Sequence, residues 1–116
     1  MRNLYIYPHK IRHERDEREL LKLMESGNDV KYIVDSYKID VSSSWEAIIV
    51  DFMNKIIKER DETQYEDIYF VAMGYSPFVY AISAVISSNF NYEDEITPVY
   101  FIRENGQLIM KKIWSE

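Results

Sequence analysis

Three features of this chain predict an α/β fold. Short apolar runs rich in Ile, Val and Tyr alternate with stretches of helical character, in the order strand, helix, strand, helix, strand, helix. The run Ile68 to Met73 is apolar without alternation, as expected of a central strand covered by helices on both faces. The chain then closes on two β-rich segments around Asn105-Gly106, the preferred two-residue hairpin turn. Right-handed crossovers turn this order into a three-layer, Rossmann-like sandwich, with a mainly parallel sheet, a C-terminal antiparallel β-hairpin and no dinucleotide fingerprint. The 116 residues suit a single domain, 1–116.

The first strand is expected over Leu4 to Tyr7, stopped by Pro8. A helix follows over Glu14 to Ser26, with Leu20, Leu21, Leu23 and Met24 on one side and Gly27 closing its C-terminus. The second strand covers Val30 to Val34 and is expected to continue extended through Tyr37 and Ile39 to Val41. Ser43 and Glu46 form a capping box ahead of Trp45, Ile48, Ile49, Phe52, Met53, Ile56 and Ile57, whose spacing of three and four predicts the second helix. Between Lys58 and Asp67 the apolar pattern stops and charge dominates, which predicts a solvated helix end and a loop. Strand three meets Gly74. Pro77 to Asn89 is apolar nearly all round, which predicts a largely buried third helix, with Ser76 as its cap and Pro77 in its first turn. Thr97 to Arg103 and Gln107 to Trp114 flank the turn residues Glu104, Asn105 and Gly106. Trp45 and Trp114 are read as packing residues.

Composition narrows the chemistry. Hydrophobic residues at 47% and charged residues at 29% exclude a disordered or low-complexity chain. A net charge of -6 argues against gripping long nucleic acid or an anionic membrane through bulk charge, while leaving room for a small anion in a local basic pocket. With no cysteine there are no disulfides, thiolate chemistry or Cys-based metal sites, and no convincing His-carboxylate cluster suggests another metal. No cofactor is called for. Lacking a membrane-length apolar run or a signal-peptide core, the chain is expected to be cytoplasmic.

In open parallel sheets ligands bind beyond the C-terminal ends of the strands, and two such ends are chemically equipped. After strand one, Pro8, His9, Lys10, Arg12 and His13 bring both imidazoles and two cations together. After strand three, Gly74, Tyr75, Ser76 and Pro77 offer a tight turn and a helix N-terminus with outward amides. Side by side, these loops suit a phosphate, with His9 as general acid or base, Lys10 as counter-charge, and Ser76 with the Gly74 and Tyr75 amides holding the group. Metal-independent cleavage of RNA-like phosphodiesters uses the substrate's own 2'-hydroxyl as nucleophile, so alignment and proton handling would fall to these residues. Structural roles compete: His9 as a strand cap, His13 as part of the first helix, Ser76 as an ordinary helix start, and Tyr75, which could stack on a base, as a filler of a subunit interface.

The segment Tyr5-Ile6-Tyr7-Pro8-His9-Lys10-Ile11, running into a charged helix, resembles the opening of small stand-alone CRISPR-associated proteins. Val71-Ala72-Met73-Gly74-Tyr75-Ser76-Pro77-Phe78, a buried helix, and Pro98-Val99-Tyr100-Phe101 with its hairpin resemble the second ligand motif and the end of a CARF domain. The resemblance implies a homodimer that binds a cyclic oligoadenylate, such as cyclic tetra-adenylate, across its two-fold axis. As a ring nuclease it would cleave the ring without metal to linear products ending in 2',3'-cyclic phosphate, switching off type III CRISPR signalling in antiviral defence. Many CARF domains carry Gly-Gly and a following Lys or Arg where this chain has Gly74-Tyr75 and Ser76-Pro77, so Lys10 or Arg12 would supply the cation. Three alternatives stand beside this: a sensor that holds the ring without cutting it, a structural or interaction domain with no chemistry, and a phosphocarrier. Gly74-Tyr75-Ser76-Pro77-Phe78 also resembles the Gly-Gly-Ser-Pro-Phe loop of the mannose-type IIA phosphocarriers, in which His9 would correspond to the phosphorylated residue.

Overall fold

A computed structural model describes residues 2–10, 14–35, 42, 44–63, 65–88 and 95–113. The elements are β1 (Leu4–His9), α1 (Glu14–Glu25), β2 (Asp29–Val34), α2 (Trp45–Thr63), β3 (Ile68–Val71), α3 (Ser76–Ser88), β4 (Thr97–Glu104) and β5 (Gln107–Lys112). The five strands form one sheet in the order β2-β1-β3-β4-β5, parallel from β2 to β4 and antiparallel at β4-β5. This is the predicted α/β architecture with its closing hairpin.

Two clusters of buried side chains lie on opposite faces of the sheet. One joins Leu4, Ile6, Ile68 and Phe70 to Ile49, Met53 and Ile56 of α2 and to Phe78, Ile82 and Ile86 of α3. The other joins Tyr5, Tyr7, Val71 and Val99 to Leu20 of α1. Helices α2 and α3 therefore share one face and α1 covers the other, the arrangement that right-handed crossovers impose on this strand order. Alternation along β1 divides its side chains between the two clusters.

Several boundaries differ from expectation. β1 runs on through Pro8 and His9, with His9 still paired to Val34. Its register with β3 ends at Ile6 opposite Phe70, so Pro8 falls where the strand is paired on one side only and a missing N–H is tolerated. α1 closes as expected at Gly27, which adopts a positive φ of 88° while its N–H bonds to Met24 and that of Asn28 to Leu23. Leu20 is buried on α1, but Leu21 and Met24 point to solvent, because only the Leu20 and Leu23 side meets the sheet. The expected continuation of β2 through Tyr37 and Ile39 to Val41 lies outside the described residues, as do Ser43, Asn89 and Trp114.

Helix α2 begins with the Ile48 N–H bonded to the Ser44 carbonyl, one residue later than a Ser43 cap would place it. It then runs into the charged stretch as far as Thr63, the solvated helix end expected there, and Tyr65 to Asp67 before β3 carry no helix or strand. Lys, Glu and Arg are good helix formers, and ion pairs from Glu59 to Lys31 and from Arg60 to Glu95 anchor this last part to its surroundings. Helix α3 buries the stripe Phe78, Ile82 and Ile86, but it is not buried all round: Tyr80 is 77% exposed. The sheet and α2 meet one side of α3 and leave its outer face open. At the hairpin, Asn105 and Gly106 have φ of 54° and 77°, the positive pair required by a type I′ turn, and Glu104 pairs with Gln107.

Candidate functional site

With strand order β2-β1-β3-β4, the chain leaves the end of β1 for one face of the sheet and the end of β3 for the other. Such a reversal opens a crevice beyond the carboxyl ends of the two strands, where ligands of open α/β sheets bind. β1 delivers Pro8, His9 and Lys10 to this rim, and β3 delivers Gly74, Tyr75, Ser76 and Pro77.

Local geometry shapes the second loop. The Ala72 N–H still bonds to Val99 of β4, after which the Met73 N–H turns back to the Val71 carbonyl and the chain leaves the sheet. Gly74 follows with φ of 135°, a conformation that L side chains rarely adopt. Space imposes the same choice, since a Cβ at Gly74 would collide with Nε2 of His9 and lie 3.1 Å from its Cδ2 and Cε1. The Val79 N–H bonds to the Tyr75 carbonyl at 2.9 Å, so Tyr75 occupies the N-cap position where Ser76 was expected. Ser76 and Pro77 belong to the first helical turn, where N–H groups have no earlier helical carbonyl to bond.

The two loops are joined directly. The Tyr75 N–H donates to Nε2 of His9 at 2.8 Å, and Nδ1 of His9 lies 3.1 Å from the carbonyl oxygen of its neighbour Lys10. Pro8 is buried beneath them, His9 is half-buried, and Lys10, Gly74, Tyr75, Ser76 and Pro77 are exposed. Arg12 and His13 lie outside the described residues. The sheet thus brings together seven of the nine expected residues at one rim.

Trp45, read from sequence as packing, also borders the site. Its ring stands edge-on to Phe78 at 5.5 Å and to Tyr75 at 6.2 Å, linking the start of α2 to the start of α3. No local sequence signal marks this role, because the two helix starts meet only through the fold. The β4-β5 hairpin continues past the rim, and the Arg103 guanidinium there is engaged by Glu19 of α1 at 2.6 Å, leaving Lys10 as an exposed cation beside His9. Lys111 and Lys112, on β5, are exposed as well.

Among the described residues, no group of three His, Asp or Glu side chains is placed to hold a metal ion, and no helix is long and apolar enough to cross a membrane. Family models, curated proteins and solved structures contain no match to this chain.

Proposed function

We propose that this chain binds the phosphate of a nucleotide at the rim between β1 and β3, and that the nucleotide is a cyclic oligoadenylate held by a homodimer. The observation that carries the reading is the hydrogen bond from Tyr75 N–H to His9 Nε2, which fuses an imidazole-and-lysine loop with a glycine turn and a helix N-terminus at the strand-order reversal. Lys10 supplies positive charge, the first turn of α3 supplies outward amides and the Ser76 hydroxyl, and Tyr75 offers a ring face for a base. The ring identity and the dimer come from the CARF resemblance, in which a two-fold axis sets two copies of each loop around a symmetric ligand.

Cleavage is the fuller form of the reading. The ribose 2'-oxygen attacks its own phosphorus and forms the O2'–P bond, while the P–O5' bond breaks. The 2'-hydroxyl gives up its proton and the departing 5'-oxygen gains one, leaving a 2',3'-cyclic phosphate and a 5'-hydroxyl. In the arrangement described, both His9 nitrogens are engaged, which favours holding the ring over cutting it. A transferable phosphate on His9, as in a phosphocarrier, would also require one of these nitrogens to be released.

Thermal-shift measurements against cyclic oligoadenylates of several ring sizes test binding, followed by incubation with the labelled ring that shifts the transition most. Stabilisation by one ring size is expected, and chelators should leave it unchanged. Product formation at a catalytic pace would establish the nuclease, retention of intact ring would establish the sensor, and a flat response to every ring would remove the proposal.

A further inference from the structure

We infer that His9 is a positioning residue which caps helix α3 from strand β1 through a single ring tautomer. The Tyr75 amide can only donate, so Nε2 must be bare; the Lys10 carbonyl can only accept, so Nδ1 must carry the proton. One ring state satisfies both contacts, the neutral Nδ1–H form. A neutral acceptor also suits the positive end of the α3 dipole.

The amide that His9 takes is that of the N-cap residue, the group a capping-box side chain within the helix would otherwise satisfy. The residue three positions after Tyr75 is Phe78, which has no acceptor and is buried in the core against Trp45. The cap therefore arrives from another strand. Gly74 completes the arrangement, because any Cβ there would displace the imidazole. His9 acts on a ligand through this loop, fixing the direction of the amides in the first turn of α3 without moving a proton itself. The ligand-directing part of this role rests on the nucleotide reading above, whereas the tautomer and the hold on Tyr75 stand on geometry alone.

The test compares the full chain with His9→Ala and His9→Gln. Gln retains a carbonyl acceptor able to reach toward Tyr75 but has no ring proton to transfer. Nitrogen-15 spectra of the wild-type imidazole should show a protonated Nδ1 and a bare Nε2; the opposite tautomer would overturn the inference. Amide exchange at Tyr75 should speed up about tenfold in His9→Ala, in keeping with the loss of one hydrogen bond, and return toward wild type in His9→Gln. Equal exchange in all three chains would also overturn it. With cyclic tetra-adenylate, His9→Gln should recover most of the binding or turnover that His9→Ala loses. If Gln restores Tyr75 protection yet stays as inactive as Ala, the ring touches the reacting atoms and the positioning role fails. If the wild-type chain neither holds nor cuts any ring, the nucleotide reading falls alone, and the first two measurements still decide the latch.

Discussion

Replacing Gly74 by Ala would force a side chain into a φ of 135° and drive its methyl group into the His9 imidazole. Backbone strain of this kind costs about 1–3 kcal/mol, so urea unfolding should show Gly74→Ala destabilised by at least that much, with the Tyr75 amide losing its protection as the imidazole is pushed aside. Unchanged stability would mean that the turn and the ring are not in contact. At this scale the sequence shows the chemical types but not their state. His9, Lys10, Gly74 and Tyr75 are all recognisable as candidates, because a strand end and a glycine before a helix are local signals. That Gly74 must lack a side chain on account of His9 is not legible, since the contact spans 66 positions between His9 and Tyr75.

Tyr65 shows how an element is placed by a residue outside it. Its hydroxyl donates to Asp29 Oδ2 at 2.8 Å, tying the connection between α2 and β3 to the start of β2, while Arg2 holds the other oxygen of the same carboxylate at 2.7 Å. Tyr65→Phe leaves the ring buried and removes the bond to a charged acceptor, so a loss of about 1.5–3 kcal/mol is expected in denaturant titrations. A cost near zero would show that water replaces the hydroxyl. The strands and the hairpin follow from the sequence because Asn105 and Gly106 fix a turn and β-branched runs fix strands. The exact end of α2 does not. Charge between Lys58 and Asp67 reads as a solvated helix end and a loop without fixing where one gives way to the other, and ion pairs to β2 and to Glu95 accompany the helix to Thr63. In the same way, the third helix reads as largely buried because its residues are apolar nearly all round, whereas Tyr80 on its outer face is 77% exposed.

The whole molecule carries an aromatic layer beneath α1, where the Tyr5 and Tyr69 rings lie tilted with centroids 5.3 Å apart and Phe101 lies 6.3 Å from Tyr5. Burial, reinforced by the Asp67 carboxylate, raises both phenols above the ordinary value of 10.0. In the unfolded chain these groups lose their protons near 10.0, while the folded chain still holds them, so the folded state binds more protons and stability falls as pH rises. The contribution is fully present below that value and is lost as pH climbs through the raised folded values. Unfolding followed across the alkaline range should show this decline, and Tyr5→Phe with Tyr69→Phe should flatten it; an equal slope in the double variant would assign the effect elsewhere. Layering is legible in the sequence because hydrophobic period and connection length govern it. Strand order is not, since β3 could flank either neighbour until α2 crosses over, and that order is what makes a crevice between β1 and β3.

The edge-on meeting of Trp45 with Tyr75 gives the rim an optical readout. Of the two indoles in the chain, the other is Trp114, and its replacement by Phe would leave Trp45 as the lone tryptophan emitter. Any guest that lifts the phenol ring of Tyr75 then alters the polarity around that indole, so occupancy can be titrated by fluorescence without a label on either molecule.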